Sequence, residues 1–169
     1  MRLIHCTQKL FKELAVIPTD PDAAQVNSEG LGNWYANLLR FDRRKCLLCA
    51  SERTLYTFLI PGVLKKNLLD ISNLFRSHLA FNLQYEGFGA SVIERVMEEY
   101  KELDFAKTIS KSMLGSMNDL KHGYEFEVVR AGGIESLDVL AVNQNMNRTP
   151  LKAIKYNFPI EEITRVIAF

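Results

Sequence analysis

The chain has 169 residues, 47% hydrophobic and 24% charged, which fits one globular domain with a substantial core. A formal net charge of +1 excludes the strongly basic balance of a general nucleic-acid binder, and no stretch approaches the ~18 apolar residues of a membrane-spanning helix. Three cysteines, Cys6, Cys46 and Cys49, exclude an even-numbered disulfide framework and fit reduced thiols.

The charge is unevenly spread. Residues 1–81 carry 11 Lys+Arg against 7 Asp+Glu, and residues 82–169 carry 10 against 13. One part is therefore mildly basic and the other mildly acidic. The opening MRLIHCTQKL has too short an apolar run for a secretory signal, so a cytoplasmic location and no membrane partner are expected.

Along the chain, Arg2 to Cys6 reads as a short strand. Thr7 is placed to cap a helix carrying Leu10, Phe11 and Leu14 on one face. Residues 16–32 hold two prolines, two glycines and several small polar residues, and are expected to form a flexible loop. NWYANLLRF, CLLCAS and LYTFLIP then read as a three-stranded meander, separated by the charged turns DRRK and ERT. WYANLLRF also tolerates a helical reading on periodicity alone.

From Asn67 the apolar period becomes helical, with Leu68, Leu69, Ile71, Leu74, Phe75, His78 and Leu79 on one stripe. After Gly87 and Gly89, Val92, Ile93, Val96, Met97 and Tyr100 define another helix. A third runs from about Thr108 into the 120s, and YEFEVVR at 124–130 either continues it or turns into a strand. Ala131-Gly132-Gly133 is a break, and Thr149-Pro150 and Phe158-Pro159 read as helix starts. The fold class is α+β: an N-terminal antiparallel β-meander packed against a C-terminal layer of helices, in one domain over 1–169.

Candidate chemistry is sparse. Cys46 and Cys49 match a C-x-x-C spacing, but residues three apart in a strand point to opposite faces, and no second ligand pair is near. No metal or cofactor is implied. His5, His78 and His122 fall in separate elements, with His78 read as a core residue. A nucleophilic site would require His5, Cys6 and Asp119 to converge in space. Arg40, Arg43, Arg44, Lys45 and Arg53 surround the hairpin turns, with Trp34 and Tyr35 nearby. Cations plus aromatic rings are the chemistry of single-stranded nucleic-acid binding, whereas charged turns also serve simply as solvated edges.

SKSMLGSMNDLKHGY at 110–124 raises a different question. Gly115, Ser116, Asn118 and Asp119 are poor helix formers inside a helical pattern, glycine costing about 1 kcal/mol relative to alanine. On a helical wheel Ile109, Met113, Met117, Leu120 and Tyr124 form one face. Ser112, Gly115, Ser116, Asp119 and Gly123 form a stripe of small residues, expected to pack closely against another element. Asp119 is left over from that account and calls for a partner.

HCTQKL near the start, LGNWYANLLRFDRRKCLL at 31–48, LGSMNDL at 114–120 and NRTPL at 147–151 together resemble a family of small uncharacterised bacterial proteins, a domain of unknown function. The resemblance spans nearly the whole chain and implies a bacterial cytoplasmic protein, without assigning an activity or a catalytic residue. The expected function is a non-enzymatic binding or regulatory module for a protein or nucleic-acid partner, using Trp34, Tyr35, Arg43, Arg44, Ser116, Asn118, Asp119 and Arg148. The alternative is a small enzyme acting on nucleotides or nucleic acid around Asp119.

Overall fold

The computed structural model describes residues 1–23 and 29–168. Five strands form one mixed sheet: β1 (Arg2–Cys6), β2 (Trp34–Phe41), β3 (Arg44–Ser51), β4 (Thr57–Ile60) and β5 (Leu103–Lys107), in the order β4-β3-β2-β1-β5. The meander β2-β3-β4 is antiparallel as its turns require, so WYANLLRF is a strand. β1 lies between β2 and β5 and is parallel to both. The strand β5 was not legible as one, because LDFAK is short and offers only two inward apolar residues.

The helices are α1 (Gln8–Phe11), α2 (Lys65–Leu68), α3 (Ile71–Tyr85), α4 (Ala90–Glu99), α5 (Lys111–Ala131), α6 (Val139–Met146) and α7 (Pro159–Ile167). They cover both faces of the sheet rather than one, because strand alternation sends apolar side chains to each. On one face Ile4, Cys6, Trp34, Ala36, Leu38, Leu47, Cys49 and Phe58 pack with residues of α1, α2, α3, α4 and α7. On the other, Tyr35, Leu39, Phe41, Cys46, Leu48 and Leu59 pack beneath α5 and Val142 of α6. Cys46 and Cys49 thus diverge into separate cores, as their spacing requires.

α5 is capped at Ser110, whose hydroxyl accepts from Met113 N–H at 3.0 Å, and it continues through YEFEVVR to Gly132, where φ of +87° ends it. Pro159 opens α7 as expected, while Thr149-Pro150 precedes only a 3-10 turn at Lys152–Ile154. Of the stretch expected to be a flexible loop, residues 24–28 lie outside the described residues. Its described ends are tied down: Thr19 N–H donates to Phe105 O at 2.8 Å, and Glu99 accepts from Leu31 N–H at 3.1 Å and Gly32 N–H at 3.0 Å. Arg2 meets Glu99 at 2.9 Å. Gly30 is required here, since a Cβ would sit 2.4 Å from the Glu99 carboxylate.

Candidate functional site

The β2–β3 connection is a two-residue turn with both central residues left-handed, Asp42 at φ +51° and Arg43 at φ +67°. This primed geometry suits the twist of a hairpin, and glycine or asparagine is its usual occupant. Asp42 anchors the tip, its carboxylate accepting from Ile134 N–H at 2.7 Å in the segment after α5. Arg44 pairs with Glu135, and Lys45 with Glu13 at 3.0 Å. Arg53 lies at the far end of β3, where it donates to the Gly30 carbonyl. Arg40 and Arg43 are exposed and form no ion pair with any described residue. The basic cluster of the sequence is therefore two open arginines beside two compensated cations, with Arg53 elsewhere.

Trp34 and Tyr35 do not join that surface. Both are 0% exposed, one in each core. The Trp34 indole N–H donates to the Tyr100 hydroxyl at 2.8 Å, which in turn donates to Gly32 O at 2.8 Å. Tyr35 stacks on His5 with ring centroids 4.7 Å apart, and its hydroxyl accepts from Ser110 N–H at 3.2 Å. Burial pushes the Tyr35 phenol up. Neither ring can stack on a base while the fold is intact. An apolar residue beginning a strand is as often core as platform, and alternation alone assigns it no face.

The convergence of His5, Cys6 and Asp119 does not occur. His5 donates its Nδ1–H to Lys107 O at 2.9 Å on the α5 side of the sheet, whereas Cys6 points into the opposite core. Burial pushes the Cys6 thiol up to about 12, and raises Cys46 and Cys49 as well. Such thiols are protonated and unreactive at neutral pH. His78 is half-buried, its imidazole held below the usual range by desolvation and set edge-on to Phe81 at 5.8 Å.

On α5 the small stripe splits. Gly123 is the close approach, where a Cβ would lie 2.7 Å from the Met146 terminal carbon of α6. Gly115 has nothing within 4 Å of that position, so the expected tight packing is absent there. Asn118 and Asp119 are exposed, and Asp119 needs no buried partner because water solvates it. Asn118 lies 3.4 Å from His122 Nε2, and His122 Nδ1 lies 3.1 Å from Glu125. Ser116 is half-buried and, with Ser110, Ser112, Arg53, Leu55 and Ile154, lines a cleft of about 190 Å³.

Arg148 is far from these residues in role. Its guanidinium grips Glu86 with two bonds of 3.2 and 2.7 Å and donates to Gln144 O at 2.9 Å. The Glu86 carboxylate beside it raises the Arg148 pKa, and the Glu86 side chain is only 2% exposed. This pair closes one end of a buried amide seam that sequence reading missed. Asn147 accepts from Thr57 N–H and donates to Thr57 O, both at 2.8 Å. One helical turn earlier, Asn143 accepts from Leu59 N–H at 3.0 Å and from the Tyr124 hydroxyl at 2.7 Å. It also donates to Asn82 Oδ1 at 3.0 Å. Four helical residues advance about 6 Å and two strand residues about 6.8 Å, so amides four apart, at Asn143 of α6 and at Asn147 that caps it, match alternate residues of β4. The Asn143–Asn147 spacing was the available signal.

A family model for a domain of unknown function (DUF6933) matches residues 3–162. The chain belongs to the DUF6933 family. No curated protein and no solved structure matches it. Among the described residues of this family member, no group of three or more His, Cys, Asp or Glu side chains is gathered as metal ligands would be. No helix among them is long and apolar enough to cross a membrane.

Proposed function

We propose that this DUF6933 protein is a non-enzymatic binding or regulatory protein of the bacterial cytoplasm. In this reading it engages an anionic surface of a protein or nucleic-acid partner through the tip of the β2–β3 hairpin. The observation that carries the reading is Arg43 itself. It holds a left-handed conformation, φ +67°, that costs an L-residue with a Cβ roughly 1–2 kcal/mol. Glycine would hold the same turn without that cost, so the long cationic side chain is retained at a conformational penalty. Asp42 fixes the tip by its bond to Ile134 N–H, leaving the Arg43 and Arg40 guanidinium groups exposed on a rigid mount.

Two further features support binding over catalysis. The nucleophilic thiols are buried and neutral, and the residues of the enzymatic alternative, Asp119, Ser116 and Arg148, serve separate surroundings. Three unpaired, buried thiols also suit a reducing compartment.

The test is fluorescence anisotropy with labelled single- and double-stranded oligonucleotides and with polyglutamate, at two salt concentrations. Binding to at least one polyanion at low salt is expected, weakening steeply as salt rises. Substituting both Arg40 and Arg43 by alanine flattens the salt slope by up to about two contacts' worth. No binding to any of the polyanions at low salt overturns the reading.

A further inference from the structure

Beside the hairpin the β4 edge is sealed only in part. Asn147 and Asn143 occupy the backbone groups of Thr57 and Leu59, and strand alternation makes Pro61 the next residue along that edge. Proline has no N–H to offer, and no described residue donates to the Pro61 carbonyl. The turn that follows runs alongside the start of β3, where Val63 N–H donates to Lys45 O at 2.9 Å. Here a cleft of about 270 Å³ opens, lined by Pro61, Gly62, Ile134, Leu137 and Val139. The Arg44–Glu135 ion pair completes the lining, so the cleft adjoins the tip that holds Arg43. Gly62 keeps it open, with φ of +64° and nothing within 4 Å of where its Cβ would stand.

We propose, resting on the hairpin reading, that this cleft and the hairpin tip form one docking site for an acidic protein segment carrying a bulky aliphatic side chain. The charges left open argue for the acidity. Asp42 is held by Ile134 N–H at 2.7 Å, Glu135 by Arg44, and Asp138 by Ala141 N–H at 3.3 Å. Arg43, Lys65 and Lys66 are exposed and pair with no described residue, so the uncommitted charge around the cleft is positive. The size argues for a segment of a larger partner. A cleft of about 270 Å³ falls short of the ~300 Å³ where small-molecule pockets begin, and it suits one or two side chains. The lining argues for protein over nucleic acid. No aromatic ring is among the described residues around it, so a base finds no stacking face, and the Glu135 carboxylate repels a phosphate. The segment's carboxylates meet Arg43, Lys65 and Lys66, while its aliphatic side chain enters against Leu137 and Val139. One of its backbone N–H groups donates to the open Pro61 carbonyl.

The test uses the full chain and three labelled probes in fluorescence anisotropy: a glutamate peptide with a central leucine, the same peptide with a central serine, and a single-stranded oligonucleotide of equal charge. The leucine peptide should bind at least ~10-fold tighter than the serine peptide at low and at high salt, because burial of an apolar side chain is not screened. Arg43→Ala should weaken both peptides by the same factor, and Leu137→Ser should erase the preference for leucine. A diazirine analogue of leucine at the central position locates the contact without any substitution in the protein, and should cross-link to residues 61–62 or 134–139. Equal affinity for the two peptides, or cross-links elsewhere, overturns the cleft assignment and leaves the hairpin reading standing. Tighter binding of the oligonucleotide than of the leucine peptide does the same and assigns the tip to nucleic acid. Failure of all three probes to bind at low salt overturns both readings.

Discussion

The β4 edge and the outward face of α5 are built from the same kinds of residue, asparagine and small polar side chains, and use them in opposite ways. Along β4, Asn143 and Asn147 are 1% and 0% exposed, and their amides take the place of a sixth strand, pairing with the backbone of Leu59 and Thr57. An open edge would offer those groups to another chain. On α5, Asn118 and Asp119 face water and Gly115 has nothing above it. A polar residue is structurally expensive to lose only where water cannot replace its bonds. That difference, rather than residue type, separates the sealed side of the molecule from the side available to partners.

The sharpest way to break this comparison is thiol chemistry. The native Cys6, Cys46 and Cys49 are buried and their thiols raised, so labelling by an aromatic disulfide at pH 8 should be at least ~100-fold slower in the folded protein than in denaturant. A cysteine introduced at Asn118 should label at the rate of a free peptide thiol. The linkage has a definite sign. The Cys6 pKa rises from 9.0 to about 12, so stability from its protonated form is complete below pH 9 and is lost as pH climbs towards 12. A Cys6→Ala variant should show a shallower alkaline decline in its denaturation midpoint.

Next in size is Asn143→Leu, which preserves volume but removes the acceptor for Leu59 N–H and the Tyr124 hydroxyl. At about 1–3 kcal/mol for each buried group left unpaired, a loss of roughly 3 kcal/mol or more is expected in urea denaturation. Asn118→Leu on the outward face should stay within about 0.5 kcal/mol. Equal losses at the two asparagines would abolish the distinction drawn between the regions.

Arg148→Ala strands the Glu86 carboxylate, whose side chain is 2% exposed. Breaking a fully buried pair costs about 3–5 kcal/mol; with Arg148 half-exposed, roughly 2 kcal/mol is expected. Adding Glu86→Gln should recover much of that loss, which a purely steric role for Arg148 would not allow. Arg43→Ala, by contrast, should leave stability nearly unchanged.

The smallest effect runs the other way. Gly115→Ala should stabilise the monomer by about 1 kcal/mol, since the added methyl meets open space and removes the helical penalty of glycine. A destabilised Gly115→Ala variant would mean that something packs on this face within the monomer.

Much of the fold was legible in local pattern. The meander, the long apolar stripe of α3, the break at 131–133 and the opening of α7 at Pro159 are written in alternation, helical period and turn chemistry. β5 and α6 were not, because LDFAK is too short for a clear alternation and VLAVNQNM puts a polar residue, Asn143, on its buried side. The candidate surface was half legible. Arg43 and Arg44 stand at a turn as the DRRK pattern implies, but Trp34 and Tyr35 belong to the cores.

By itself, then, the sequence determined the meander, the helical stripe of α3, the opening of α7 and the divergence of Cys46 from Cys49, because each follows from interactions within a few residues. Tertiary structure decided the rest. It made β1 a parallel strand between β2 and β5, and placed helices on both faces. It set the amides of α6 against β4, and left Gly115 and Asp119 in water while closing Gly123 against Met146. Exposure is set by which distant segment arrives to cover a surface: residue 82 meets residue 143, and residues 143 and 147 meet residues 59 and 57, only once the chain has folded.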